Sequence, residues 1–89
     1  MSLKEKFDDA KKRLDTLTER PSNEEFLELY ALFKQATVGD VNTKKPGMFD
    51  MKGQYKWKSW KAKAGLSTVD AMEAYVAHVE TLLEKYQTS

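Results

Sequence analysis

Rings and lysines fall together at helical spacing in the middle third of this 89-residue sequence. Tyr30, Phe33 and Lys34 stand at i, i+3 and i+4, so they share one face of any helix that carries them. Lys52 and Lys56 stand at i and i+4 and share another. If the two faces meet, they enclose stacking surfaces and two or three ammonium groups. That is chemistry for a phosphorylated, ring-bearing ligand. Lys56, between Tyr55 and Trp57, either snorkels to water or holds a phosphate as a point charge. Phe33 and Tyr75 either pack against neighbouring lysine stems or stack on a planar ligand. Trp57 and Trp60, at i and i+3, read as core-building residues.

Other chemistries find little support. The sequence has no cysteine and one histidine, so disulfides, thiolate nucleophiles and cysteine-bound metals are excluded. His78 sits between Ala77 and Val79 in a helical pattern, without a second ligand at HExxH-like spacing. There is no Gly-x-Ser-x-Gly elbow, and Gly39 and Gly47 do not make a phosphate-cradling loop. Neither a catalytic site nor a metal site is expected.

The formal net charge is +1, yet the distribution is uneven. Between Lys44 and Lys63 seven lysines face Asp50 alone, which is a local +6 in a chain whose flanks are acidic. The N-terminus lacks a signal-peptide layout, and no apolar run is long enough to span a bilayer. One domain spanning 1–89, cytoplasmic and monomeric, is the expectation.

Four helices must position these groups. Ser2 with Glu5 and Ser22 with Glu25 are capping boxes that open the first two. Leu3, Phe7, Ala10, Leu14 and Leu17 form the stripe of a helix over 3–18, stopped before Pro21. Phe26, Leu29, Tyr30, Phe33 and Ala36 mark the second, ending at Gly39. A long connection over 40–51 carries Val41, Met48, Phe49 and Met51, expected to pack it onto the core, with Pro46-Gly47 setting a turn. Asp50 caps a third helix over 51–64, which Gly65 stops. Ser67 with Asp70 opens the fourth, whose expected seam is Val69, Met72, Val76, Val79, Leu83 and Tyr86, with Tyr75 beside it.

The run Leu29-Tyr30-Ala31-Leu32-Phe33-Lys34-Gln35-Ala36-Thr37-Val38-Gly39-Asp40 continues through Lys45-Pro46-Gly47-Met48-Phe49, Lys52-Gly53 and Lys56-Trp57-Lys58-Ser59-Trp60. These motifs, with Asp70-Ala71-Met72, Tyr75 and Lys85-Tyr86, resemble the acyl-CoA-binding protein (diazepam-binding inhibitor) family along the whole chain. The resemblance implies an all-α, up-down-down-up four-helix bundle with a long loop between helices 2 and 3. It implies one-to-one binding of medium- to long-chain acyl-CoA such as palmitoyl-CoA, no further cofactor and no enzymatic activity. The acyl-CoA-contacting residues it implies are Tyr30, Ala31, Leu32, Phe33, Lys34, Lys52, Lys56 and Tyr75. Lys34 and Lys56 would take the ribose 3′-phosphate beside the Tyr30 hydroxyl, Phe33 would stack on adenine, and Tyr75 would close the site. Phe26, Leu27, Met51 and Tyr55 would line the acyl-chain groove. Relatives commonly have tyrosine at position 33, and some carry a basic residue at position 15, where this chain has Asp15.

The implied role is an intracellular carrier and pool former that exchanges ligand with acyl-CoA-using enzymes or membranes. The residues alone leave two alternatives: a helical interaction module, or a single-stranded nucleic-acid-binding module using the Lys44–Lys63 face. Acidic flanks and near-zero net charge weigh against nucleic acid.

Overall fold

A computed structural model describes residues 2–87. Four helices follow in order: α1 (Leu3–Leu14), α2 (Asn23–Thr37), α3 (Met51–Lys61) and α4 (Thr68–Gln87). Both capping boxes form, with the Ser2 and Ser22 side chains accepting from the Glu5 and Glu25 amides at 3.2 Å. Asp50 accepts from the Gly53 amide at 2.9 Å, and Ser67 from the Asp70 amide at 3.0 Å. Local signals set every helix start.

The ends are less regular. α1 stops at Leu14 rather than near 18: the Thr16 hydroxyl donates to the Arg13 carbonyl at 2.6 Å, a local bond that competes with helix continuation. Leu17 is still drawn inward by a turn from the Leu14 carbonyl. α3 closes at Lys61 and unwinds through three-residue turns to Gly65, where φ is +91°. Gly39, at φ +97°, follows the C-cap of α2.

Cross-helix contacts give the directions. Phe7, early in α1, stacks on Phe33, late in α2, so these two run antiparallel. Phe26 and Leu27 share a cleft with Lys52 and Lys56, while Trp60 reaches Gly39, so α2 and α3 run parallel. Lys85 near the end of α4 meets Glu25 at the start of α2, reversing direction again. The result is an all-α, up-down-down-up bundle.

The core joins α1, α2 and α4: Phe7, Ala10, Leu29, Leu32, Ala36, Ala71, Tyr75, Val79, Leu82 and Leu83. The buried stripe of α4 is rotated from the expected seam. Val69 is 53% exposed, whereas Ala71 and Tyr75 sit at its centre. Ala71 has no side-chain bulk, which admits close helix approach, and the Tyr75 ring fills the adjoining space. A count of branched aliphatics cannot register either contribution.

The long connection also departs from expectation. Met48, Phe49 and Met51 are not packed onto the core; they are 77%, 95% and 60% exposed. Polar bonds hold the segment instead. The Trp60 indole donates to the Gly39 carbonyl at 2.8 Å, the Trp57 indole to the Thr43 carbonyl at 2.9 Å, and the Gln54 amide to the Gly47 carbonyl at 2.8 Å. The core reading holds for Trp60, which is buried, while Trp57 is half-buried and serves as a clamp.

Candidate functional site

The parallel alignment of α2 and α3 brings the two lysine-bearing faces together. Tyr30 is half-buried between them, with the Lys34 ammonium 5.9 Å from its ring centroid and the Lys56 ammonium 5.3 Å away. Lys34 also lies 5.5 Å from the Trp60 ring, and Lys56 lies 5.7 Å from that of Phe26. Ring quadrupoles therefore help gather two like charges. Among the described residues neither ammonium has a carboxylate partner; the nearby acid Glu28 is paired with Lys63. Two gathered, unpaired cations make a site for a multiply charged anion.

Next to them opens a cavity of about 510 Å³, lined by Arg20, Asn23, Phe26, Leu27, Lys52, Tyr55 and Lys56. Its size falls inside the roughly 300–1,000 Å³ range of small-molecule sites. The walls combine apolar surface from Phe26, Leu27 and Tyr55 with three cationic side chains, a lining suited to an amphiphile with an anionic head. A shallower depression of about 290 Å³ shares Arg20 and Phe26 and continues across Leu14, Leu17 and Leu29 toward the α1–α2 turn. An apolar track thus leads away from the charged mouth.

The expected residues fall into three groups. Tyr30, Lys34, Lys52, Lys56, Phe26, Leu27 and Tyr55 converge on this cleft. Phe33 lies apart in an aromatic cluster, with its ring stacked on Phe7 at 5.9 Å and 12° and the Lys11 ammonium 4.7 Å from its centroid. Tyr75 is buried in the same cluster at 6.2 Å from Phe33. Burial, and secondarily the charge of Asp15, pushes its hydroxyl up to about 12, so it stays protonated as a potential donor. Ala31 and Leu32 face inward at 0% and 4% exposure and present no side chain to the cleft. Met51 stands outside the cleft lining, one residue before Lys52.

Arg20, Asn23 and Lys11 were not legible as site residues. Arg20 and Asn23 flank the Pro21–Ser22 turn, where no helical period marks a face, and Lys11 belongs to the solvated side of an ordinary amphipathic helix. Their only signal is the tertiary juxtaposition. On α4, the His78 Nε2 is buried without a hydrogen-bond partner among the described residues, away from the cleft lining. Among the described residues no cluster of three His, Cys, Asp or Glu could hold a metal ion.

Residues 4–79 match the sequence model of the family described as "Acyl CoA binding protein". The chain belongs to the acyl-CoA-binding protein family. It is 60% identical over 80 residues to "Acyl-CoA-binding protein homolog 1" of Caenorhabditis elegans, covering 90% of this chain and 93% of the relative. It is 51% identical to "Acyl-CoA-binding protein" of Brassica napus, covering 100% of this chain and 97% of the relative. Among solved structures, the crystal structure of Oryza sativa Acyl-CoA-Binding Protein 2 superposes with a TM-score of 0.90 at 46% identity, covering 94% of this chain and 93% of that one. Family membership and the four-helix fold agree with the motifs around Lys34 and Lys56.

Proposed function

We propose that this acyl-CoA-binding protein family member binds one long-chain acyl-CoA in the α2–α3 cleft and serves as a cytoplasmic carrier and reservoir. The observation carrying this reading is the pair of unpaired ammonium groups, Lys34 and Lys56, gathered on Tyr30 at the mouth of an amphiphile-sized cavity. In this reading the two ammoniums and the Tyr30 hydroxyl take the ribose 3′-phosphate, while Lys52 and Arg20 meet the remaining phosphates. Phe33 stacks on the adenine once Lys11 moves aside, with Tyr75 as its backing. Ala31 and Leu32 support the site from beneath. The tail lies along Phe26, Leu27 and Tyr55, with Met51 closing over it, and follows the apolar track toward the α1–α2 turn.

Charge at the mouth and oil along the track have separable consequences. A charge-assisted phosphate contact is worth roughly 1.5–3 kcal/mol, so Lys34→Ala or Lys56→Ala should weaken palmitoyl-CoA binding roughly ten- to a hundredfold. Each buried methylene adds about 0.8 kcal/mol, so affinity should climb steeply with chain length until the track is filled. Isothermal titration with palmitoyl-CoA, free CoA and palmitate tests both halves. Equal affinity for palmitate and palmitoyl-CoA would sink the head-group assignment. The protein is proposed to carry the thioester without turning it over, so the ligand should be recovered intact after prolonged incubation.

A further inference from the structure

A groove of about 610 Å³ runs along the seam between α1 and α4, outside the cleft already described. Its apolar lining comes from Leu3, Ala10, Val76 and Ala77. Lys6 and Arg13 stand on its α1 rim, Glu73 and Glu80 on its α4 rim, and all four are exposed. Each pair is separated by seven residues, two helical turns or roughly 10 Å. The Phe7 and Tyr75 rings meet at 4.9 Å between centroids, and α1 and α4 run in the same direction. Lys6 therefore stands about level with Glu73, and Arg13 with Glu80. Among the described residues no ion pair joins these opposite charges across the groove, or joins either base to the half-buried Asp9 beside them. The rims are held apart, and their charges are left for something outside the molecule.

We propose that this groove docks a helix of a partner protein, one with acids along one edge, bases along the other and an apolar stripe between. Acids seven residues apart would meet Lys6 and Arg13, and bases at the same spacing would meet Glu73 and Glu80. The shape favours a protruding helix over a second copy of this chain, because a two-fold contact would set hollow against hollow. The placement suits docking as well. α1 packs on α4, α4 on α2 and α2 on α3, so the groove and the α2–α3 cleft lie at opposite edges. Asp9 and Arg13 fall two positions either side of Lys11, which turns toward Phe33, so the groove also faces away from that ring. A partner seated here leaves the cleft mouth open for ligand to pass. That last consequence rests on the carrier reading; the docking itself does not.

Fluorescence anisotropy with three stapled 21-residue helical peptides tests the proposal. All share one alanine–leucine stripe; the first has one glutamate and one lysine edge, the second two lysine edges, and the third two glutamate edges. At about 150 mM salt the wild type should prefer the mixed peptide on the order of tenfold. Lys6→Glu/Arg13→Glu should move the preference to the lysine-edged peptide, and Glu73→Lys/Glu80→Lys to the glutamate-edged one. Lys4→Glu/Lys12→Glu, an equal charge change on α1 outside the groove lining, should keep the wild-type order. Should a reversed pair fail to fold, Glu73→Gln/Glu80→Gln should still weaken the mixed peptide on the order of tenfold. Palmitoyl-CoA titration should be unchanged in every folded variant. A wild type that does not discriminate, groove variants that keep its order, or a Lys4/Lys12 variant that switches like them overturns the proposal. So does sedimentation equilibrium in which the wild type self-associates and Lys6→Glu/Arg13→Glu does not, since the occupant would then be a second copy. A switch of peptide preference in a protein unable to bind palmitoyl-CoA would uphold docking and remove only the carrier reading.

Discussion

A single side chain can matter through what it leaves unpaired, and Gln35 shows this in the interior. It is 1% exposed, and its Nε2 donates to Asp40 Oδ1 at 2.8 Å and to the Leu66 carbonyl at 2.7 Å. One amide nitrogen thereby pins the end of α2 to the segment leading into α4. Gln35→Glu would erase both donors and set a carboxylate against Asp40 and a carbonyl. A cost of roughly 2–4 kcal/mol in urea unfolding is expected, partly regained at acid pH as the new carboxyl protonates. In the cleft the corresponding test is Arg20, which lines the mouth from an exposed turn. Screening limits an exposed cation to roughly 0.2–1 kcal/mol, so Arg20→Ala should weaken palmitoyl-CoA binding by no more than about fivefold without altering the melting temperature. A larger loss would mean that the phosphates sit nearer α1 than Lys34 and Lys56 imply.

Among the elements, α3 carries half of the cleft while burying little: Trp60 is its one buried side chain. Its position is set by the indole bonds and by its N-cap. A Cβ on Gly53 would lie 2.4 Å from Asp50 Oδ2, so the cap and the glycine are coupled. Alanine in a helix is ordinarily better than glycine by about 1 kcal/mol, and a lost aspartate cap costs about the same. Gly53→Ala alone should therefore leave stability nearly unchanged, whereas in an Asp50→Ala background it should gain about 1 kcal/mol. Additive behaviour of the two substitutions in urea unfolding would show that they do not communicate. The same element explains what a reading of the sequence reaches. Caps, C-terminal glycines and lysine faces obey rules spanning three or four residues, and Ser2, Ser22, Asp50, Gly39, Lys52 and Lys56 all stand as those rules require. The exposure of Met48 and Phe49, the rotation of the α4 stripe onto Tyr75, and the entry of Arg20 into the cleft depend on residues far away in sequence. Hydrophobicity says that a side chain gains by burial; it does not say whether a neighbour is there to bury it.

For the whole molecule, the question is what keeps α2 fixed when its Lys34 is gathered with the like-charged Lys56 of α3 and Phe26 is 41% exposed. Glu25 is the tether. It closes the capping box of α2, pairs with Lys85 at 2.9 Å and accepts a short bond from the Tyr86 hydroxyl, so α4 reaches back to hold the helix that carries Phe26, Tyr30 and Lys34. These bonds, led by that from Tyr86 and then that from Lys85, hold its carboxyl at about 2 instead of 4.5. Asp40 is lowered too, by the Gly65 amide and then by Gln35, at the opposite end of α2. A carboxylate whose pKa is depressed by folding contributes stability that is complete above its unfolded value and disappears as pH falls through its folded value. For Glu25 that window lies between about 4.5 and about 2. Lys85, raised chiefly by its hydrogen bond to Glu25 and then by that residue's charge, makes its own contribution vanish only on the alkaline side. Glu25→Gln keeps a side chain able to close the capping box but removes the charge. Its stability deficit in urea should be constant from neutral pH down to about 4.5, then shrink toward zero near pH 2 as the wild-type carboxyl takes up its proton. A deficit that persists unchanged at the acid end would show that Glu25 acts through shape and not through charge, and the link between the two helices would then be no electrostatic tether.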